Sequence, residues 1–166
     1  ATQNPLEMEG VFELPEAQRD RFMLKLTVDL PDRETESALL DRFEADPDLG
    51  PSDTEQVISA DDIEQARETV MEVHVDSKVK DYLLDLIAAT RSSDALTHGV
   101  SPRGSIAMLH ASKARAAIQG REFVIPDDVK SLAPTVMQHR VVRGTDAELS
   151  GQTVETIIDS ILEGVA

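Results

Sequence analysis

The chain has 166 residues and carries 32 acidic against 16 basic side chains, which gives a formal net charge of −16. The length suits one domain, or one small domain with part of another, and 40% hydrophobic residues suffice for a packed core. The absence of cysteine excludes disulfides and thiolate metal sites, the acidic excess argues against a nucleic-acid or anionic-membrane surface, and no apolar run is long enough to span a membrane.

The first residues are predicted to form a loop, a short helix and one strand. The segment "PEAQRDR" (15–21) fits a short helix with Pro at its first position. The segment "FMLKLTV" (22–28) is apolar and β-prone, which predicts a buried strand that Pro31 ends. Because one buried strand cannot satisfy its edge hydrogen bonds alone, we expect residues 1–54 to be the edge of an α/β domain.

A helix and a linker are predicted next. Asp32 precedes the helical pattern "RETESALLDRFEA" (33–45) and is a suitable N-cap. The segment "DPDLGPSD" (46–53) is rich in Pro, Gly and Asp, which predicts a linker. The apolar side chains that should form one stripe of this helix are Leu39, Leu40 and Phe43.

From about residue 55 onward the pattern is helical. Ser59 and Asp62 have the spacing of a capping box, with Ile58 and Ile63 at the two staple positions around it. Asp76 should begin the next helix, whose inner side is predicted to carry Val79, Leu83, Leu86, Ile87 and Thr90.

Three further helices are predicted towards the end of the chain. One should begin at Ser101-Pro102, run through Ile106, Leu109 and Ala117, and end at Gly120. The next should begin after "FVI" at Pro126, with Val129, Leu132, Val136 and Met137 inward, and should bend or break at Pro134. After an extended "RVVR", the last helix has an apolar residue at nearly every i, i+3 and i+4 position from Val154 to Val165. The chain is therefore predicted to be mostly α, with a bundle of four or five helices.

No common catalytic or metal-binding motif is present. The four histidines lie at least 12 residues apart, so no H-x-x-x-H pair exists and no metal site is expected. The patterns G-x-S-x-G, G-x-G-x-x-G and G-x-x-x-x-G-K-[ST] are also missing.

Three features deserve a functional interpretation beside the structural one. Arg103 is expected in the first turn of a helix, where the dipole disfavours a cation unless an anion such as phosphate binds there. Asn4 precedes a proline and could simply cap a turn. Arg19 and Arg21 come just before the predicted strand and are either solvated or directed at an anion of a partner.

The joined motifs resemble the MoxR family of AAA+ proteins. "ATQNP-LEMEG-VFELPEAQRDRF" and "LKLTVDLPDRETE" are similar to the second half of its ATPase core. "DYLLDLIAATR" and "GVSPRGSIAMLHASKARAAIQGREFVIPDDVKSLAPTVMQHRVV" resemble its C-terminal lid. The resemblance covers nearly the whole chain, and it is weakest at residues 46–56 and in the last helix.

The resemblance implies roles for individual residues. Asn4 matches the sensor-1 Asn, which orients the water that attacks the γ-phosphate of ATP. Arg21 matches the arginine finger, which reaches the nucleotide bound by the neighbouring subunit, and Arg19 is the nearby alternative. Arg103 matches the sensor-2 Arg of the lid, which contacts the bound nucleotide.

The resemblance also implies the domain organisation and the partners. Residues 1–50 would be the C-terminal strand/helix edge of an α/β P-loop ATPase core, and residues 57–166 a helical AAA+ lid domain. Family members use ATP and Mg²⁺, form homo-oligomeric rings, typically hexamers, and act as chaperone-like motors in remodelling or metal-cofactor insertion. Proteins with a von Willebrand factor A-type domain are frequent partners. A cytoplasmic location is expected, with neither a nucleic-acid nor a membrane partner.

The chain departs from the family pattern in one respect. The Walker A loop and the Walker B carboxylates, which hold the phosphates and Mg²⁺, lie N-terminal to sensor 1 in this family and are missing here. We therefore expect the chain to be the C-terminal part of such an ATPase and to be inactive by itself.

Two alternative functions and one property of the surface remain open from the sequence. The chain could be a stand-alone acidic helical interaction module for a basic protein, or part of a nucleic-acid-remodelling relative, although the net charge disfavours the latter. With 11 Arg but 5 Lys against 17 Asp and 15 Glu, spread along the chain, the composition is typical of proteins from salt-accumulating organisms.

Overall fold

The computed structural model describes residues 1–3, 14–48, 50 and 53–165, and these form eight α-helices and two short strands. The predicted mostly helical class is therefore confirmed. The helices and strands are α1 (Glu16–Arg19), α2 (Arg33–Ala45), α3 (Ala60–Glu72), α4 (Ser77–Ser92), β1 (Leu96–His98), α5 (Pro102–Ile118), α6 (Pro126–Met137), β2 (Val142–Arg143), α7 (Thr145–Leu149) and α8 (Val154–Gly164).

The chain divides into two compact units. The first, here called the lid unit, combines Ala1–Lys25 with Val73–Ala166, and the second, the α2–α3 unit, is Leu26–Glu72. This division follows contacts within the chain. The boundary between 50 and 57 that the family resemblance implies stays a prediction.

The lid unit has one hydrophobic core, built by helices α4, α5, α6 and α8 and the segments between them. Ten hydrophobic residues in this core are no more than 1% exposed, and they come from all four helices and the loop before α5. They are Leu86, Ile87, Val100, Met108, Ala116, Val129, Ala133, Val136, Met137 and Ile158. The core thus joins helices that lie far apart in the sequence, as a helical bundle requires.

Helix α4 forms as its sequence predicts. The Asp76 carboxylate accepts a hydrogen bond of 2.9 Å from the Lys78 backbone N–H, which satisfies one of the free donors of the first turn. All five side chains predicted to face inward are buried. The apolar period of this helix therefore identified its core face correctly.

Helix α5 begins and ends where predicted. Ser101 is its N-cap, and Gly120 follows its end with a φ of 70°, a conformation that a glycine adopts without strain. Ile106 lies outside the core, and its side chain is 57% exposed. The buried stripe consists of small residues, and these let α6 approach closely; they are Gly104, Ala107, Ala111, Ser112 and Ala116, with Met108.

Helix α6 continues through its proline. Of the two outcomes predicted at Pro134, a bend or a break, the break is wrong, since α6 runs on to Met137 and the Gln138 N–H bonds to the Pro134 carbonyl at 3.0 Å. Proline removes one backbone hydrogen bond. Three completely buried residues around it, Ala133, Val136 and Met137, pack into the core and offset that loss.

A buried carboxylate, that of Asp128, accepts hydrogen bonds at the start of α6. Asp128 is 1% exposed and receives two hydrogen bonds from Arg121, of 2.7 and 2.6 Å, and one of 3.0 Å from the Ile125 N–H. Arg115 lies 3.4 Å away. Burial alone raises the pKa of a carboxyl group, but these hydrogen bonds and cations outweigh it and hold the pKa of Asp128 below its ordinary value.

The sequence patterns did not predict strand β1 or helix α7. Strand β1 pairs antiparallel with β2, which lies within the predicted extended segment "RVVR". Neither the three residues of β1 nor the five of α7 are enough to display a hydrophobic period. A further isolated bridge joins His74 to Phe123, at the start of the predicted "FVI" segment.

The α2–α3 unit has well-formed helices with exposed apolar faces. Asp32 caps α2 through a 2.8 Å bond from the Thr35 N–H, and Ser59 and Asp62 form the predicted capping box. No residue of either helix is buried. The predicted apolar stripe and staple side chains are therefore exposed; these are Leu39, Leu40, Phe43, Ile58 and Ile63.

The prediction of a buried strand at 22–28 is wrong in this structure. The segment belongs to no strand or sheet of the described residues, and Leu26 and Val28 are 70% and 93% exposed. A strand needs neighbouring strands along its length. Instead, its first residues are held by side-chain and backbone groups of the α6 region, such as the Thr135 carbonyl, which accepts from the Lys25 N–H at 2.9 Å.

None of the helices in the described part of the chain combines the length and apolarity needed to cross a membrane.

Candidate functional site

The predicted site residues lie on two separate segments of the lid unit. Arg21 follows α1 and its side chain is exposed, whereas Arg19 is half-buried and its Nε finds no hydrogen-bond partner among the described residues. Arg103 is exposed in the first turn of α5. Asn4 lies outside the described residues.

The start of α5 fixes the position of Arg103. The Ser101 hydroxyl accepts a 3.2 Å hydrogen bond from the Arg103 N–H, and Pro102 takes the first helical position. No acidic residue lies in this first turn. The positive end of the helix dipole and the guanidinium are therefore uncompensated from within the helix, which favours an anion at this end.

The loop before α5 is held rigidly against the end of α4. The Val100 N–H donates to the Thr90 hydroxyl at 3.0 Å, and Arg91 Nε donates to the Val100 carbonyl at 2.7 Å. A Cβ atom at Gly99 would lie 2.7 Å from the Arg91 backbone, so only glycine allows this approach. The first turn of α5 is thus fixed by backbone contacts as well as by its cap.

Asp20 connects the two segments that carry the predicted arginines. The Ser101 hydroxyl donates to both carboxylate oxygens of Asp20, at 3.0 and 2.9 Å. Asp20 immediately precedes Arg21, and Ser101 is the N-cap of the helix that bears Arg103. The structure therefore brings the Arg21 segment and the Arg103 helix together through one carboxylate.

Arg140 is a third cation at this junction. Its Nε donates to the Asp20 carboxylate at 3.1 Å, and its side chain is 1% exposed. Burial lowers the pKa of this guanidinium and the charge of Arg103 acts in the same direction, whereas Asp20 opposes both. Two positive charges therefore lie close enough to influence each other at the start of α5.

Local sequence patterns do not show that Asp20, Ser101 and Arg140 form one group. Asp20 and Ser101 were within the quoted motifs, but their contact joins positions 81 residues apart. Arg140 follows a helix as an ordinary surface arginine would. No local period or cap distinguishes Arg140, and only its contacts with distant residues reveal its role.

The exposed arginines fit a phosphate-bearing ligand. Within the described residues, neither Arg21 nor Arg103 forms an ion pair or a side-chain hydrogen bond. Both guanidinium groups are thus available to an anion in a chain whose net charge is −16. In the same part of the chain no group of three His, Asp or Glu side chains could hold a metal ion.

Two family models match the chain. Residues 88–161 match the AAA lid domain, and residues 1–24 match the family described as "ATPase family associated with various cellular activities (AAA)". The first range contains Arg103 and Arg140, and the second contains Arg19, Asp20 and Arg21. The two matched ranges are the ones that the Asp20 carboxylate joins.

Several known proteins are similar over the full chain. The uncharacterized protein YeaC of Bacillus subtilis is 39% identical over 166 residues, covering 99% of this chain and 51% of YeaC. Chaperone MoxR1 of Mycobacterium tuberculosis is 35% identical, with 100% of this chain and 45% of that protein covered. A solved structure from Cytophaga hutchinsonii, assigned as an ATPase, superposes with a TM-score of 0.88 at 30% identity and covers 99% and 52%.

The chain therefore spans about half the length of these relatives. Protein MoxR of Paracoccus denitrificans is similar as well, at 30% identity over 85% of this chain. The matched lid and ATPase models, these relatives and the full-length structural likeness agree with the sequence motifs, and the chain belongs to the MoxR family of AAA+ ATPases.

Proposed function

We propose that this chain supplies the sensor-1, arginine-finger and sensor-2 residues of a MoxR-type ATPase that works as a homo-oligomeric ring, with six subunits expected. The observation that carries the proposal is the pair of exposed arginines, Arg21 and Arg103, which have no ion pair among the described residues and lie on segments joined by the Asp20–Ser101 contact. Anion-binding side chains on two linked segments suit a chain that contacts two nucleotides, its own through Arg103 and that of the neighbouring subunit through Arg21.

Each arginine would act on a different part of the reaction. ATP, when bound, supplies the γ-phosphoryl group that is transferred to water. Arg103 would contact the phosphates from the lid of its own subunit, and Arg21 would reach the nucleotide of the neighbouring subunit and neutralise charge that develops in the transition state. The exposure of Arg21 favours it over the half-buried Arg19 for this role. Asn4 would orient the attacking water.

Nucleotide and magnesium would be held largely by residues that this sequence does not contain. The pattern G-x-x-x-x-G-K-[ST] is missing from the 166 residues. We infer that the 166-residue chain alone neither binds ATP tightly nor hydrolyses it. Measurable turnover by the purified chain would overturn this statement.

The test uses the full-length gene product, with Arg21→Ala, Arg103→Ala and the control Arg67→Ala. Arg67 is an exposed arginine of α3 paired only with Glu64, at 3.1 Å, among the described residues. Arg21→Ala should lower kcat by about 10³-fold or more, the range found for arginine fingers, while ATP binding is kept. Arg103→Ala should weaken nucleotide binding, and Arg67→Ala should change neither. Loss of ATP binding in Arg21→Ala would assign Arg21 to its own subunit's site.

The cellular task follows from the family. We propose chaperone-like remodelling or metal-cofactor insertion, in the cytoplasm, with a von Willebrand factor A-type protein as a partner. Size measurement of the full-length protein with ATP tests the ring. The dispersed carboxylates of the surface suit solvation at high salt, so activity should collapse at low salt and persist at molar salt. Activity that is indifferent to salt would contradict this interpretation of the surface.

A further inference from the structure

The side chain of Arg140 uses its full hydrogen-bonding capacity inside the protein. A guanidinium has five N–H donors and no acceptor. Here Nε donates to the Asp20 carboxylate at 3.1 Å, Nη1 to the carbonyls of Met23, at 3.1 Å, and Val136, and Nη2 to the carbonyls of Asp20, at 3.3 Å, and Phe22. A buried cation is costly unless it is paired in this way.

Four of these five bonds go to the segment that carries Arg21. The carbonyls of Asp20 and Phe22 flank Arg21 directly, so Arg140 forms hydrogen bonds to the backbone on both sides of Arg21. The Arg21 side chain itself stays exposed. The two residues between the end of α6 and Arg140 support the same segment. The His139 ring N–H donates to the Phe22 carbonyl at 3.0 Å, and the Gln138 amide donates to the Lys25 carbonyl at 2.9 Å.

Arg140 also lies under the helix that bears Arg103. Gly104 is buried, and a Cβ atom there would lie 3.0 Å from Arg140 Cδ and would clash with Val100 Cγ1. The glycine next to Arg103 thus leaves the space through which Arg140 reaches Asp20. Asp20 in turn accepts from the α5 cap, Ser101.

We propose that Arg140 is a positioning residue for ATP hydrolysis, which sets the backbone of Arg21 relative to the first turn of α5 and so to Arg103. This proposal rests on the proposed function. Arg140 is too deeply buried to touch a nucleotide, so it acts only through the Arg21 segment and α5. Because transition-state contacts depend on placement to within about 1 Å, loosening this segment should slow the reaction more than it weakens binding.

The experiment compares three variants of the full-length gene product with wild type. Arg140→Gln removes most of the donors. Asp20→Ala cuts the link to Ser101 but keeps the four carbonyls that accept from the buried Arg140, so this variant should fold. Arg143→Gln is the matched control, because Arg143 also bonds to a carbonyl, that of Gln152 at 2.8 Å, but does not touch the Arg21 segment.

Two measurements separate positioning from a general structural role. Arg140→Gln and Asp20→Ala should each lower kcat, by about 10²-fold for the first, while KM for ATP changes by less than about three-fold. Hydrogen exchange should rise at the amides of 20–25, including Lys25, and stay unchanged in α4. Arg143→Gln should behave as wild type in both measurements.

The outcomes that contradict the proposal are distinct from those that contradict the proposed function. If Arg21→Ala abolishes hydrolysis but Asp20→Ala and Arg140→Gln leave kcat unchanged, Arg140 has no positioning role and the proposed function stands. If both variants raise exchange throughout the lid unit, Arg140 is merely structural. If Arg140→Gln fails to fold, Asp20→Ala alone decides. Wild-type protein without ATPase activity would overturn both proposals.

Discussion

The lid unit and the α2–α3 unit contain helices of similar quality but differ in what their apolar faces meet. In the lid unit, the stripe of α4 is buried against three other helices, and Leu86 is completely inaccessible. In the α2–α3 unit, α2 has its predicted cap and stripe, yet Leu40 is 71% exposed. A helix therefore needs only its own sequence to form, whereas a core needs partners from elsewhere in the chain.

The largest difference in stability is expected between truncating a core side chain of the lid unit and truncating an exposed one of the α2–α3 unit. Leu86→Ala should lower the free energy of unfolding by about 3 kcal/mol, because it leaves a cavity in a closely packed core. Leu40→Ala should change it by less than about 0.5 kcal/mol, because that side chain is exposed. Urea unfolding followed by circular dichroism measures both. Equal effects would mean that Leu40 is buried in the protein in solution.

Removing an ion pair should likewise destabilise the lid unit more than the α2–α3 unit. Asp128→Asn should lower the free energy of unfolding by about 2 kcal/mol. This is less than the loss expected on breaking a fully buried ion pair, because the side chains of Arg121 and Arg115 are 25% and 42% exposed and can turn to water. Glu64→Gln, which removes the exposed pair with Arg67, should cost less than about 0.5 kcal/mol. The unfolding free energy of each variant is the measurement, and a larger cost for Glu64→Gln would contradict the burial argument.

Asp128 also gives the lid unit a defined acid sensitivity. Its folded-state pKa lies below its ordinary value, so the unfolded state binds the proton more readily. The stability that it contributes is complete above the ordinary carboxyl range near pH 4, and it is lost as pH falls through the lower folded-state pKa. Unfolding measured between pH 6 and 2 should show a steeper loss for wild type than for Asp128→Asn.

Removing the N-cap of a packed helix and that of an exposed helix should give a smaller difference in stability. Asp76→Ala removes a 2.9 Å cap bond from a packed helix and should lower the free energy of unfolding by about 1 kcal/mol. Asp32→Ala removes a 2.8 Å cap bond from an exposed helix. It should reduce the helix content of α2 and leave the main unfolding transition unchanged. A shift of that transition in Asp32→Ala would show that α2 unfolds together with the core.

The smallest effect is expected at His139. Burial lowers its pKa, the hydrogen bond to the Phe22 carbonyl opposes that change, and the charges of Arg140 and Lys25 add to it while Asp20 opposes. The neutral ring is therefore preferred in the folded state, and its contribution to stability is lost as pH falls below about 6.5, the ordinary value. His139→Gln should flatten the dependence of stability on pH between 7 and 5. His110→Gln, at an exposed position of α5, should keep the wild-type slope.

Much of the fold followed from local patterns. The predicted caps at Asp32, Ser59, Asp76 and Ser101 all begin helices, and Gly120 ends one. These features depend on side chains two or three residues away, which a sequence displays directly. The failures concern long-range contacts. The segment 22–28 is apolar and was predicted to be buried, but apolarity does not reveal which neighbour covers a side chain.

The candidate site divides in the same way. The motifs around Arg21 and Arg103 identified both arginines from the sequence, and the exposure of each is compatible with the predicted roles. Asn4 could not be compared, since it lies outside the described residues. Arg140 carried no local signal, because its importance comes from acceptors 117 to 120 residues away.

The sequence by itself determined where most of the longer helices begin, that the chain resembles one ATPase family, and which cations could meet a phosphate. Those properties depend on spacing, capping and residue type over a few positions. Only the tertiary structure decided which apolar faces are covered and that one buried guanidinium joins the Arg21 segment to the Arg103 helix. Burial and multiple hydrogen bonding are properties of distant residues brought together, and no short stretch of sequence contains them.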